Sequence, residues 1–237
     1  MRRVIPYIAS GYRKDKIWMR RSKPSKRAYQ VLLAIDDSAT MRENGAGAAA
    51  LAALATLATG LTQLEVGELA VMSFGDGVKV LRDFSSPPFS SEDGANCVGR
   101  FEFKAEATPA KKMLTKAMQI FDEADMCGGS DAGANQMCFV VSDGRFDASQ
   151  ISELRILNRK LAEQHRLLVL LIMDNPDHSI TKERRVFFEG DEVKTETYLE
   201  GYPFPYYVIL KGVAELPEVL SDALRQWFEF LQTQDQG

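Results

Sequence analysis

The chain has 237 residues, 45% of them apolar, with a formal net charge of −4. This suits one large domain, or one domain with appendages, able to bury a sizeable core. The longest apolar run, Leu167 to Met173, is only strand length, so no membrane span is expected; no apolar segment follows Met1-Arg2-Arg3, so no secretory signal is expected. Three scattered cysteines, Cys97, Cys127 and Cys138, form no CxxC pair, and only two histidines accompany them. That argues against a zinc site and points to a reducing compartment.

The charge is unevenly placed. Residues 1–28 hold ten Lys/Arg and one acid, Asp15, a net +9, while the remainder carries −13. Such an arm could lie on the acidic body, serve nuclear import or touch nucleic acid. Ile17, Trp18 and Met19 interrupt its basic run, which favours docking on the body. The expected organisation is a basic arm, 1–28, packing on a domain of residues 29–237.

In chain order, Gln30 to Ile35 reads as a buried strand and the Ala/Leu-rich Asn44 to Leu64 as a long helix. Gly67 to Phe74 and Val78 to Phe84 read as strands joined by the Gly75-Asp76-Gly77 turn. The stretch from Phe84 to Ala107 reads as irregular. A helix is expected from Thr108-Pro109 to about Ala124, with Thr108 as N-cap and proline at the first helical position. After the loop 127–135 come a strand from Gln136 to Ser142, a helix from Ser149 to Gln164 and a strand from Arg166 to Asp174. Residues 175–205 read as an inserted hairpin turning at Gly190, followed by a strand from Tyr206 to Leu210 and a helix from Glu215 to Leu231. Alternating helices and continuous apolar strands predict an α/β fold: a mostly parallel sheet covered on both faces, with one antiparallel strand.

The strand beginning at Gln30 ends in Asp36-Asp37-Ser38-Ala39-Thr40. Ligands of such folds gather beyond the carboxyl ends of strands. Asp36, Ser38 and Thr40 are spaced by two, so on a turn leaving a strand they can face one point. Thr108 and Asp143, at the start of a helix and the end of another strand, can join them. The result is an all-oxygen shell of the kind hard divalent cations such as Mg²⁺ take. Its neutral hydroxyls leave most of the cation's charge available to an incoming carboxylate. The plain structural alternative is that Ser38 and Thr40 cap the Ala-rich helix while Asp36 accepts backbone N–H groups.

A catalytic alternative is a haloacid-dehalogenase-like phosphatase, whose Asp-x-Asp-x-Thr motif Asp36 to Thr40 matches except at Ser38. An alcohol cannot take the general acid/base role of that position at neutral pH. Asp143-Gly144-Arg145-Phe146-Asp147 imitates that family's later acids. No GxSxG, HExxH or P-loop motif occurs, and a Ser/His/Asp triad would need His165 or His178. A further alternative is ribosomal RNA binding by the basic arm; its apolar residues weigh against that, and direct RNA binding is not expected.

Asp-x-Ser-x-Thr, a distant Thr108 and Asp143-Gly144 together resemble the metal-ion-dependent adhesion site of von Willebrand factor A-like domains. The flanks resemble more specifically the C-terminal domain of the midasin family, giant AAA+ ATPases of ribosome assembly. The stretches that carry this are Val4 to Met41, Leu64 to Gly75 and Tyr202 to Phe228. The resemblance implies a von Willebrand factor A-like fold and a non-catalytic, metal-dependent protein-binding domain. It implies Ser38, Thr40 and Thr108 as direct ligands, Asp36 and Asp143 acting largely through waters, and Mg²⁺ as the cation, with Mn²⁺ or Ca²⁺ as substitutes. Implied partners are ubiquitin-like domains of assembly factors on pre-60S particles, one of whose carboxylates completes the shell, and the AAA+ ring of the parent chain. The implied location is the nucleus, nucleolus and nucleoplasm together. The family's late insertion, linked to import and ring docking, corresponds here to the short and mildly basic 175–205 region.

Overall fold

A computed structural model of the chain describes residues 29–63, 67–127, 134–189, 192–219, 221–222 and 225. The arm, 1–28, and most of the expected final helix lie outside them. A central sheet holds six strands: β1 (Tyr29–Asp36), β2 (Gly67–Phe74), β3 (Val78–Arg82), β4 (Asn135–Ser142), β5 (Leu167–Met173) and, after an inserted hairpin, β8 (Tyr207–Leu210). Their spatial order is β3-β2-β1-β4-β5-β8. All neighbours are parallel except β2 and β3, which pair antiparallel. This is the expected mixed α/β sheet.

Side-chain alternation along β1 builds two cores. Val31, Leu33 and Ile35 face α2 (Gly47–Gln63), packing with Ala50, Leu54, Leu57 and Leu61. Leu32 and Ala34 face the other way, toward Met113, Leu114 and Phe121 of α4 (Ala110–Met126) and Leu154 and Leu161 of α5 (Ile151–Glu163). Burial on both faces explains why these strands are continuous apolar runs.

Three local differences separate the chain from its sequence pattern. The Ala-rich helix starts at Gly47, not Asn44, because a short helix, α1 (Ala39–Glu43), precedes it and Gly45 turns the chain at φ +69°. A Cβ at Gly47 would meet the Phe103 ring at 3.2 Å, so glycine lets that ring pack on the helix start. The stretch read as irregular contains α3 (Ser91–Val98), opened by a capping box between Ser90 and Asp93. Thr108 does not cap α4: Pro109 occupies the N-cap position and the helix begins at Ala110.

The expected insertion forms its own two-stranded antiparallel sheet, β6 (Arg184–Glu189) and β7 (Glu192–Thr197). Val213–Glu215 form a 3-10 turn, and residues 216–219 continue as helix. At the amino ends of the strands, Arg166 is buried and bonds Gln136, Asp122 and Asp125.

Candidate functional site

β1 and β4 are adjacent and parallel. After β1 the chain crosses the face covered by α2; after β4 it crosses the face covered by α5. The connections therefore diverge at these strands' carboxyl ends, the position where ligands of such sheets bind. Asp36 ends β1, and Asp143 follows β4 directly. Both are buried, at 0% and 1% exposure.

Each carboxylate is held by short bonds. Asp36 Oδ1 accepts the Ser38 N–H at 3.0 Å, and Oδ2 accepts the Ser142 hydroxyl at 2.6 Å. Ser142 Oγ also accepts the Gly144 N–H at 3.1 Å, so one serine joins the two strand ends. Asp143 Oδ1 accepts the Arg145 N–H at 3.0 Å, and Oδ2 accepts the Asn44 side-chain amide at 2.9 Å. Burial pushes the Asp36 carboxyl up from 3.8 to about 7; the Ser142 hydrogen bond opposes this and the Asp143 charge adds to it.

The hydroxyls are not used as caps. Ser38 occupies the N-cap position of α1 but makes no side-chain cap bond. Its Oγ lies instead 2.9 Å from Thr40 Oγ1, so two oxygens spaced by two in sequence meet on one side of the turn. Asp36 does accept a backbone N–H, as the plain structural alternative required, but the capping half of that alternative is not realised.

Thr108 reaches this end of the sheet on a clamped loop. Ser38 and Ala105 form an isolated parallel bridge, with the Ala39 N–H on the Ala105 carbonyl at 2.7 Å. Asp37 Oδ1 accepts the N–H groups of Glu102 and Phe103 at 3.0 and 2.7 Å, and Asp76 Oδ1 accepts that of Glu106 at 3.0 Å. A Cβ at Gly75 would lie 2.6 Å from the Ala105 Cβ, so glycine there permits the close approach. Asp37 therefore anchors the loop carrying Thr108 through bonds to residues distant in sequence.

This donor set suits a hard divalent cation: two desolvated carboxylates and a hydroxyl pair, all oxygen. Among the described residues no three His, Cys, Asp or Glu side chains gather as a metal cluster, so a cation here would have to draw on hydroxyls. The structure brings Asp36, Ser38, Thr40 and Asp143 together and ties the Thr108 loop to Ser38. Sequence reading missed Ser142, Asn44 and Arg145 as their supports. Ser142, beside Asp143, carried the one available signal, a hydroxyl at a strand end.

Of the residues the catalytic alternatives name, Asp36 and Asp143 lie at the ends of neighbouring strands and are both buried. Asp147 is exposed and its Oδ1 accepts the Ser149 N–H at 2.9 Å, so it opens the next turn rather than joining Asp36. His165 and His178 are exposed, and His165 precedes β5, at the far end of the sheet from Asp36. Cavities of about 620, 410 and 450 Å³ among the described residues are lined by other residues.

No protein-family model matches the chain. It is 37% identical over 231 residues to midasin of Dictyostelium discoideum and 36% identical over 234 residues to midasin of Giardia intestinalis. Each match covers 97% of this chain, but only 4% and 5% of those relatives' own lengths. In fold, the chain is similar to a von Willebrand factor type A protein from Catenulispora acidiphila, with TM-score 0.56 and 16% identity over 83% of this chain and 42% of that one. It is also similar to the manganese-loaded TRAP protein of Plasmodium vivax, with TM-score 0.51 and 15% identity over 62% of this chain and 57% of that one. Over nearly its whole length the chain is thus homologous to a segment of the midasins, and its fold is that of a von Willebrand factor A domain.

Proposed function

We propose that this chain is a cation-dependent protein-binding module. Asp36, Ser38, Thr40, Thr108 and Asp143 form its site, with the hydroxyls as direct ligands and the two carboxylates acting largely through water. The proposed cation is Mg²⁺, with Mn²⁺ or Ca²⁺ as substitutes; when bound, it supplies an open position for a partner's carboxylate. The observation that carries the reading is the Ser38–Thr40 hydroxyl pair, 2.9 Å apart and free of capping duty, beside the buried Asp36 and Asp143.

Homology to a segment of the midasins supports a role in ribosome assembly. The proposed partner is a ubiquitin-like domain of an assembly factor on the pre-60S particle, held so that a parent AAA+ motor can remove it. That reading places the protein in the nucleus and gives this segment no catalytic step of its own. The basic arm, 1–28, is proposed to pack on the 29–237 body, whose net charge is opposite.

The test is calorimetric titration of a ubiquitin-like domain carrying an exposed acidic residue into the chain. Binding is expected in Mg²⁺ and is lost in EDTA or in Asp36→Ala. Equal affinity in EDTA would overturn the cation bridge.

A further inference from the structure

Arg145 stands at the edge of the proposed site in a long ion pair with it. Its NH1 is 3.7 Å from Asp143 Oδ2, beyond hydrogen-bond range, and 3.5 Å from the Asp143 carbonyl, to which it donates. The group is engaged elsewhere: Nε donates to Glu183 Oε1 at 2.7 Å, and NH2 lies 2.5 Å from the same oxygen and donates to the His178 carbonyl at 2.6 Å. Glu183 immediately precedes β6, so the carboxylate that draws Arg145 aside belongs to the base of the inserted hairpin.

The same base grips the backbone after Asp143. The Tyr202 hydroxyl donates to the Gly144 carbonyl at 2.7 Å, and the Tyr198 hydroxyl lies 2.7 Å from the Phe146 N–H. Gly144 has φ +78°, and a Cβ there would sit 2.9 Å from the Tyr202 hydroxyl. Three residues in a row, Gly144, Arg145 and Phe146, are thus bonded by the segment that encloses the hairpin.

We infer that Glu183 sets the cation affinity of the site by holding the Arg145 guanidinium off Asp143. This rests on the reading that Asp143 serves a cation. Freed of Glu183, a guanidinium already 3.7 Å away can close onto the carboxylate as a direct, charge-assisted pair and compete with a divalent ion there. Held by Glu183, its charge is compensated and Asp143 keeps its own for the cation. Glu183 is a positioning residue in this scheme: it acts on the site through Arg145. Whatever shifts the hairpin base acts on the site by the same route.

Titration of MgCl₂ and of MnCl₂ into the whole chain tests this. Glu183→Gln is expected to bind either ion about tenfold more weakly, as unmasking one nearby positive charge requires, while Arg145→Gln is expected to bind it at least as tightly as the wild type, because the charge it removes is already compensated. The double variant should match Arg145→Gln, because Glu183 has nothing left to hold. In the cation-free chain, Glu183→Gln should also move the Arg145 Nε–H resonance, a readout independent of affinity. Glu183 is 37% exposed at its side chain, so the isosteric amide leaves the fold intact. Equal weakening by Glu183→Gln with and without Arg145 would show Glu183 acting by its own field and overturn the inference. Unchanged affinity in Glu183→Gln, with normal binding by the wild type, overturns this inference alone. Absence of cation binding by the wild type overturns both it and the reading beneath it.

Discussion

Replacing Asp36 by Asn should make the cation-free protein more stable at pH 8, although it removes the central acid of the site. Burial raises the Asp36 carboxyl from 3.8 to about 7 in the folded state. The folded chain then binds more protons than the unfolded chain between about pH 4 and 7, and this group's contribution to stability falls as pH rises through that window. Above it the ionised carboxylate costs about 4 kcal/mol, at ~1.4 kcal/mol per pH unit. Asn removes that cost but spoils the match to the Ser38 N–H and the Ser142 hydroxyl, a loss of about 1–2 kcal/mol. The net gain is about 2–3 kcal/mol, or roughly 5–10 °C in Tm for a domain of this size. The assay is thermal unfolding in EDTA at pH 5 and pH 8, then at pH 8 with MgCl₂. Asp36→Asn should melt higher than wild type at pH 8, the gap should shrink by pH 5, and MgCl₂ should raise the wild type only. Parallel Tm profiles for the two proteins from pH 5 to 8 would refute the assignment of Asp36 as a strained, desolvated acid.

Other perturbations separate site from scaffold. Thr108→Ala should weaken Mg²⁺ binding about tenfold yet change stability by less than about 0.5 kcal/mol in denaturant, because Thr108 makes no cap bond to α4. Gly75→Val should cost about 1–3 kcal/mol and also weaken the cation, since its side chain displaces Ala105 and with it the Thr108 loop. Arg166→Ala should cost about 1–3 kcal/mol in urea unfolding with cation affinity unchanged, because it leaves the buried Gln136 Oε1 without its donor at the opposite end of the sheet, while the half-exposed Asp122 and Asp125 turn to water. Ser90→Ala, which breaks the capping box of α3, should cost about 1 kcal/mol by the same measurement.

Much was legible from local pattern. The apolar runs of β1, β4 and β5, the Ala-rich α2 and the Gly75-Asp76-Gly77 turn follow from periodicity and turn chemistry within a few residues. The grouping of Asp36, Ser38 and Thr40 was legible for the same reason: five consecutive residues leaving a strand cannot separate far, and their spacing by two sets a common side. The capping box at Ser90 and Asp93 was also written locally, within a stretch read as irregular.

Tertiary structure decided the rest. Asp36 meets Ser142 across 106 residues, and Asn44 meets Asp143 across 99. Those pairs exist because β1 and β4 are neighbours in register, and no local periodicity encodes strand order. Thr108 shows the same limit from the other side. Thr-Pro is a good helix start on propensity alone, but Ala105 is pinned to Ser38 and the helix begins two residues after Thr108. The pairing of Arg145 with Glu183 depends on where an inserted hairpin folds back. Sequence determined which oxygens were available and which elements carried them. Packing determined which of those oxygens were stripped of water, because burial and long-range partners are properties of the assembled sheet.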